Sequence, residues 1–276
     1  MCTAPRVAKR ISTGGVCVLG VTLVDDELFV LLHRVDNQVA VYSINDYRLL
    51  RHLNLPGLKT YRNDLTSCVR HKCIYVSHYA NQCIHIHELA SSGWSAISRW
   101  WARRKWSVAY TPCGLSITPV GGNVLVTCQR PNKLVELSVD SGQRVREIAL
   151  QSHTEGPRHG VQLTTGQYVV CHGDWGNLHR VCIVDDAGRV TRSYGGQTGS
   201  DVGHMEDPRH LAVDEDSQFI FVADSNNYRV VMLSPTLEFV RYISEGLSRP
   251  HKLYLHHSTR RLYDGQLEGD VVVIQL

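Results

Sequence analysis

Short apolar runs alternate with turn-forming residues along most of the chain. The pattern is clearest in the second half, where the apolar runs 219–222 and 230–233 flank the polar segment 224–229. A further run opens at Pro208, so three strand-like runs and two turns make one unit. Apolar runs of this length between turn signals are typical of buried strands. The pattern therefore predicts a small antiparallel sheet in this part of the chain.

The same unit recurs along the sequence. Units open at Pro112, Pro157, Pro208 and Pro250, which are 45, 51 and 42 residues apart. Less distinct apolar runs continue the same phase through the first half, at 23–30, 39–42, 65–69, 73–76 and 83–86. A period of about 40–50 residues with about four strands per unit is typical of a propeller blade. The sequence therefore predicts an all-β fold, a six-bladed β-propeller of four-stranded antiparallel blades.

We expect a single domain over residues 1–276, with the ring closed by the N-terminal strand. The last unit stops at Leu276 after its third strand, and residues 6–11 alternate polar and apolar as an outer strand should. Pairing of this segment with residues 271–274 would complete the last blade. The approximate blades are 12–58, 59–106, 107–150, 151–200, 201–245, and 246–276 together with 5–11.

Composition narrows the class of protein without identifying a ligand. The net charge is +3 with the histidines neutral, which is too small to indicate a nucleic-acid protein by itself. No run of about 18 apolar residues is present, so we expect no membrane span. The apolar run 16–24 follows basic residues as in a signal peptide, but it ends at Asp25 and Asp26 without a cleavage site. We expect a cytoplasmic monomer.

The nine cysteines are an odd number, and none has the spacing of a zinc ribbon. Most lie inside strand patterns, which favours buried thiols in a reducing compartment. Disulfides that cross hairpins, between Cys73 and Cys83 or between Cys171 and Cys182, are an alternative whose register the sequence does not fix.

The fifth unit resembles an NHL repeat. The resemblance rests on residues 208–214 and 221–230, which include an Asp-x-x-Asn-x-Arg turn, and on the glycine-rich lead-in 195–208. It implies a six-bladed propeller similar to that of tripartite-motif (TRIM-NHL) proteins, which binds protein partners or RNA and can serve a ubiquitin ligase as its substrate-recognition domain. The chain has no RING or B-box zinc spacing and no heptad run, so we expect no ligase activity within it.

One face of the predicted propeller is more basic than the chain as a whole. In an antiparallel meander, the loop before strand one and the loop between strands two and three share a face. We predict that this basic loop face binds a protein or peptide, with RNA as the alternative ligand. The candidate binding residues are Arg130, Lys133, Arg158, His159, Trp175, Arg180, Arg209, His210, Arg249 and His251. We interpret Asp224 and Arg229 as the ends of a structural turn.

A metal-dependent lyase or hydrolase is the second alternative. Peptide-amidating lyases, six-bladed propellers similar to this one, hold zinc with histidines that often follow a proline at the start of a blade. His159, His210 and His251 have such positions here, but they belong to consecutive blades. No carboxylate lies beside them in the sequence as an obvious general base. We therefore expect no catalytic residues, no metal and no cofactor.

Residues 100–106 hold three tryptophans and three basic residues. As an outer strand, this segment would pack alternate side chains inward. As a protruding loop, it would present them to a ligand. Because tryptophan is usually well buried, the outer strand is the favoured interpretation.

Overall fold

The computed structural model describes residues 4–33, 38–55, 58, 60–89, 104–173 and 178–276. These residues form 24 strands and one short 3-10 turn, Ser225–Asn227. In chain order the strands are β1 (Arg6–Ile11), β2 (Val18–Val24), β3 (Glu27–Leu32), β4 (Gln38–Ser43), β5 (Leu49–Asn54), β6 (Leu65–Cys68), β7 (Cys73–His78), β8 (Cys83–Glu88), β9 (Arg104–Ser107), β10 (Thr111–Ile117), β11 (Val124–Gln129), β12 (Lys133–Leu137), β13 (Arg144–Ala149), β14 (Pro157–Gln162), β15 (Tyr168–His172), β16 (Leu178–Val184), β17 (Val190–Gln197), β18 (Pro208–Val213), β19 (Ile220–Asp224), β20 (Arg229–Leu233), β21 (Phe239–Ser244), β22 (Pro250–His256), β23 (Arg261–Gln266) and β24 (Val271–Gln275).

The strands form six four-stranded antiparallel sheets, so the predicted fold class is confirmed. Five sheets take four strands in chain order, beginning with β2, β6, β10, β14 and β18. The first strand of each blade contacts the first strands of its two neighbours, and β22 contacts β2. These first strands therefore line the axis of a closed ring, and the fourth strands form its rim.

The N-terminal strand closes the ring as the sequence predicts. The sixth sheet has the order β1-β24-β23-β22, and β1 pairs with β24 from Arg6 opposite Gln275 to Ile11 opposite Val271. Ile11 points into the core, while the other five residues of β1 are exposed. Beyond this strand, Thr13 Oγ1 accepts the backbone N–H of Asp270 at 3.1 Å. The two ends of the chain are thereby held in one blade.

The apolar core is divided into six layers, one between each pair of neighbouring blades. Strands two and three of a blade are covered on both faces, which explains their continuous apolar runs. Outer strands such as β13 bury little, and their residues are mostly exposed. Tyr75, Tyr168 and Phe221 are among the largest side chains that are completely buried.

The Asp224–Arg229 turn has the structural role predicted for it. Arg229 Nε donates to Asp224 Oδ2 at 2.8 Å, and Asp224 Oδ1 accepts the Glu206 N–H at 2.7 Å. Both side chains are buried, and the guanidinium lies 4.6 Å from the ring centroid of Tyr242. The NHL-like residues therefore join the glycine-rich lead-in to its blade.

The tryptophan-rich segment supplies the outer strand β9 of the second blade. Trp106 is buried, with its ring centroid 5.4 Å from that of Tyr75, while Arg104 and Lys105 are exposed. The outer-strand interpretation holds for residues 104–106, and residues 100–103 lie outside the described residues.

The eight cysteines in the described part of the chain are all free. Cys73 lies opposite Glu88, and Cys171 lies opposite Val181, so neither predicted alternative pair is joined across its hairpin. Among the described residues, no helix is long and apolar enough to cross a membrane.

Candidate functional site

Each blade places one residue at the axis of the ring, which we call its ring position. It is the second residue after the opening proline, or after the residue that takes the place of the proline. In most blades a β-bulge near the start of the inner strand shifts the register at this point. Bulges commonly redirect side chains at functional sites. The ring positions are, in blade order, Gly20, Asp64, Gly114, His159, His210 and Lys252.

The four polar ring positions form a buried cluster, which we call the axial cluster: Asp64, His159, His210 and Lys252. Asp64 Oδ1 accepts Lys252 Nζ at 2.9 Å. Asp64 Oδ2 lies 3.4 Å from His210 Nε2 and 3.9 Å from His159 Nε2. The two imidazole rings stack with centroids 3.6 Å apart. Although no carboxylate lies beside these histidines in the sequence, Asp64 reaches them from the second blade across the axis.

The loop before β6 holds Asp64 in place. The Asp64 N–H donates to Ser77 Oγ at 2.7 Å, and the Ser77 N–H donates to the Asp64 carbonyl at 3.0 Å. The preceding side chain is also fixed, since Asn63 Oδ1 accepts the Tyr79 N–H at 3.2 Å. Across the axis, the Leu115 N–H donates to Asp64 Oδ2 at 2.8 Å. The carboxylate is thus positioned from both sides.

Glycine at the third ring position makes room for His159. A Cβ atom on Gly114 would lie 2.6 Å from the Arg158 carbonyl oxygen and 3.1 Å from His159 Cδ2. The third and fourth blades therefore approach closely only because this side chain is missing.

Backbone groups determine which nitrogen of each histidine carries the proton. His159 Nδ1 accepts the Leu211 N–H at 3.4 Å, and His210 Nδ1 accepts the Leu253 N–H at 3.3 Å. A nitrogen that accepts cannot also donate in a neutral imidazole, so the proton is on Nε2 in both rings. His159 Nε2–H then donates to the Leu115 carbonyl at 3.0 Å, and His210 Nε2–H points to the carboxylate of the cluster.

Burial and charge determine the ionisation of the axial cluster. Burial by itself would raise the pKa of Asp64, but the Lys252 ammonium and the hydrogen bond with His210 outweigh it and hold that pKa well below its usual range. Burial lowers the pKa of His159 and of His210, so both rings are neutral at pH 7. The cluster is therefore a carboxylate–ammonium pair with two neutral rings beside it.

The axial cluster has three potential metal ligands but does not fit a metal ion. The ligand atoms of Asp64, His159 and His210 lie within 4.8 Å of one another. To bind a metal through Nε2, each neutral ring would need its proton on Nδ1, where it would oppose the backbone N–H that Nδ1 now accepts. Lys252 Nζ, 2.9 Å from the carboxylate, adds a competing positive charge. The arrangement is a closed hydrogen-bonded network.

His251, the third histidine of the metal hypothesis, does not join the others. Its Nδ1 lies 2.7 Å from the carbonyl oxygen of Val18 in the first blade. The reason is its position after the opening proline. His251 follows Pro250 directly, so Lys252 takes the ring position of that blade. Two of the three predicted histidines therefore meet, and the third binds the neighbouring inner strand.

Three arginines line a small cavity together with Lys252 of the axial cluster, and we call them the arginine mouth: Arg62, Arg158 and Arg209. Asp207 Oδ2 lies 2.6 Å from Arg209 Nη2, and Asp207 Oδ1 lies 3.9 Å from Arg158 Nη2. Arg62 donates to Gln129 Oε1 at 2.7 Å. A cavity of about 30 Å³ lies between these arginines and Lys252. It has room for about one water molecule, so ligands larger than this must bind above it.

Positive charge is in excess at the mouth. The cations are Arg62, Arg158, Arg209 and Lys252, and their carboxylate partners are Asp64 and Asp207, which leaves a net charge of +2. Burial raises the pKa of Cys113, which lines the same cavity, to about 12, so its thiol is protonated. The mouth is therefore suited to an anion.

The other predicted binding residues lie away from the mouth and contact their own surroundings. Lys133 forms an ion pair with Glu147, Arg180 donates to the His153 carbonyl at 3.0 Å, and Arg249 donates to Asn226. Arg130 is exposed after β11, and Trp175 lies outside the described residues. The basic loop face is thus less available for binding than the sequence suggests, because three of its cations are already engaged.

Sequence reasoning did not select Arg62, Asp64 or Lys252 as site residues. Alignment of the six repeats at their ring positions would identify two of these residues, because Asp64 and Lys252 occupy the ring positions of their blades. The second blade has no opening proline, so its ring position is difficult to locate from the sequence.

Comparisons with known proteins identify the fold. No protein-family model matches the chain, and no curated protein sequence matches it. The chain is similar in structure to hydrazine synthase of Kuenenia stuttgartiensis, with a TM-score of 0.66, 14% identity and coverage of 98% of each chain.

It is also similar to virginiamycin B lyase from Staphylococcus aureus, with a TM-score of 0.64, 10% identity and coverage of 99% of each chain. A catalytically inactive form of that lyase with quinupristin gives a TM-score of 0.66 at 11% identity, again over 99% of each chain. At these identities the likeness shows a six-bladed propeller fold, which is found both in binding modules and in enzymes.

Proposed function

We propose that this chain is a non-enzymatic binding module that holds an acidic segment of a protein partner at the arginine mouth. The observation that carries the proposal is the net charge of +2 there, from three arginines and Lys252 against the carboxylates of Asp64 and Asp207. Arginine presents a planar set of donors that matches a carboxylate. The fifth blade resembles an NHL repeat. If the chain is an NHL-type propeller, this mouth would be its substrate-recognition surface.

The state of the axial cluster favours binding over catalysis. A general base needs a free acceptor, yet both histidine Nδ1 atoms accept backbone N–H groups. Asp64 accepts Lys252 Nζ and the Leu115 N–H, which lowers its basicity. The cluster therefore serves as a rigid floor beneath the mouth.

The distribution of charge favours a peptide over RNA. Tight electrostatic binding of a nucleic acid needs several cations spaced along a phosphate backbone. Here Lys133, Arg180 and Arg249 are engaged within the protein, and the remaining positive charge is concentrated at one point. A concentrated charge suits one or two carboxylates.

Arg62 is the best residue for a test. Charge reversal at Arg158 or Arg209 would set a new carboxylate against Asp207, which is only 8% exposed, and would endanger the fold. Arg62 has a neutral partner, Gln129, so Arg62→Gln removes one charge without leaving an unpaired carboxylate. Arg192→Gln, on the exposed outer strand β17, makes the same change in charge away from the mouth and is the matched control.

Binding is measured by fluorescence anisotropy with labelled peptides Glu-Glu-Phe-Glu-Glu and Lys-Lys-Phe-Lys-Lys and with a ten-nucleotide oligouridylate. We expect the acidic peptide to bind wild type, with an affinity reduced about tenfold in Arg62→Gln, because a hydrogen bond to a charged group is lost. Arg192→Gln should bind as wild type does.

Two results would contradict the proposal. Equal binding of the acidic and basic peptides would show that the charge of the mouth does not select the ligand. Binding of the oligouridylate with a steep salt dependence, without binding of the acidic peptide, would replace the peptide by RNA.

A further inference from the structure

A second and larger cavity lies beside the arginine mouth. Its volume is about 570 Å³, within the range typical of sites that hold small ligands. Its walls come from the segment before β2, the ends of β3 and β18, the loop before β6 and the turn after β23. Four blades thus contribute to it, and we call it the side cavity.

The lining of the side cavity is apolar and aromatic with one cation. Val16 and Leu267 supply aliphatic surface. Tyr61 and His33 supply aromatic surface, with ring centroids 3.5 Å apart. Arg209 is the cation. An apolar wall beside a guanidinium is suited to a ligand group that is apolar at one end and anionic at the other.

The thiol in the side cavity is not a reactive group. Cys17 lines the cavity, and burial raises its pKa to about 11. The thiol is therefore protonated at neutral pH and acts as a small apolar side chain. This lining favours reversible binding.

The side cavity and the mouth form one surface. Tyr61 and Arg209 line both the side cavity and the small cavity above the axial cluster. A ligand whose carboxylate contacts the arginines therefore has its neighbouring group at the side cavity. Tyr61 as a residue is 64% exposed, so its ring is available to pack against that group.

We propose that the side cavity binds an aromatic side chain that lies next to an acidic residue in the partner peptide. The inference rests on the proposed function and adds a specificity determinant to it. Two features of the cavity indicate this occupant. The positive charge of Arg209 complements the neighbouring acidic residue, and the volume of the cavity exceeds what one aromatic ring requires. In the partner, the aromatic ring is the anchor and the flanking carboxylates are bound by the arginines.

The test compares Glu-Glu-Phe-Glu-Glu with Glu-Glu-Ala-Glu-Glu on wild type and variants. We expect the Phe peptide to bind at least about tenfold more tightly, because binding in the cavity transfers most of the Phe side chain out of water. Leu267→Ala, which changes the side cavity and not the mouth, should remove most of this difference while leaving the affinity for the Ala peptide unchanged. Val145→Ala, an exposed apolar site on the outer strand β13, is the control and should preserve the difference.

The outcomes separate the two proposals. Equal affinity of wild type for the two peptides overturns the side-cavity inference and leaves the proposed function in place. Failure of both peptides to bind overturns both. Phenylacetate, which carries the same ring and charge, should compete only weakly, and competition at the concentration of the Phe peptide would show that the site takes a free aromatic acid instead.

Discussion

Asp264 lets the electrostatics of this fold be tested directly. It lies in β23 of the last blade, fully buried, and its Oδ1 has no hydrogen-bond partner among the described residues. Oδ2 accepts Gln266 Nε2 at 3.2 Å. Burial raises the pKa of Asp264 to about 7, because the bonds from Gln266 and the backbone offset it only in part. The substitution Asp264→Asn keeps the shape and removes the titration.

The sign and size of the effect follow from the two pKa values. In the unfolded chain the carboxyl ionises near its ordinary pKa of 3.8, whereas the folded protein holds the proton up to a pKa of about 7. Between these values the folded state binds more protons, so the free energy of unfolding falls as pH rises. Over about three pH units at about 1.4 kcal/mol each, the wild type loses roughly 4 kcal/mol that Asp264→Asn does not lose.

The assay is urea unfolding followed by tryptophan fluorescence at several pH values from 4 to 8. The quantity to compare is the free energy of unfolding of Asp264→Asn minus that of wild type, since histidines titrate in both. We expect this difference to grow in favour of the variant by roughly 4 kcal/mol from pH 4 to 8. Asp186→Asn, at an exposed turn, should give a constant difference. A constant difference for Asp264→Asn would refute the argument that burial governs this carboxyl.

Three further predictions concern the ring and its axis. Deletion of residues 1–11 removes β1 and uncovers β24, so we expect the melting temperature by calorimetry to fall by several degrees, and an unchanged melting curve would contradict closure by this strand. Asp64→Ala leaves the buried Lys252 ammonium unpaired and should cost about 3–5 kcal/mol in urea unfolding, with much of the loss recovered in Asp64→Ala/Lys252→Met. If the double variant were no more stable than the single one, the ion pair would not be the cause. Elemental analysis after dialysis against zinc should find well below one zinc per chain, and stoichiometric zinc that is lost in His210→Ala would restore the metal hypothesis.

The sequence predicts the fold well because the fold is local and repeated. The apolar runs and the spacing of the opening prolines determine where each blade starts, and strand pairing within a blade joins neighbouring segments. Among the strands that the structure describes, ring closure is the one distant pairing, and the alternation in residues 6–11 indicated it. The outer strand β9 was also indicated, by the burial preference of Trp106.

The site was predicted only in part because it is assembled from distant blades. His159 and His210 were selected, since both follow Pro-Arg and point to the axis. Their partner Asp64 comes from the second blade, and local sequence carries no sign that it crosses the axis. His251 does not join His159 and His210, because a shift of one residue after Pro250 puts Lys252 in the ring position. A shift of one residue relative to the opening proline thus determines which side chains meet at the axis.

The six ring positions explain how polar side chains come to stabilise the axis of this propeller. Two of them are glycine, and Gly114 admits the ring of His159, so the polar side chains of the other blades can meet at the axis. Asp64 then ties the second blade to the fifth and sixth through His210 and Lys252, which closes the ring a second time, independently of β1. For the binding function proposed above, a floor held in this way would need no rearrangement, which lowers the free-energy cost of binding. Polar residues at the axis therefore need not indicate catalysis, because here they bind one another. Of the arginines at the mouth, Arg158 and Arg209 share Asp207, whereas Arg62 is bonded to the neutral Gln129.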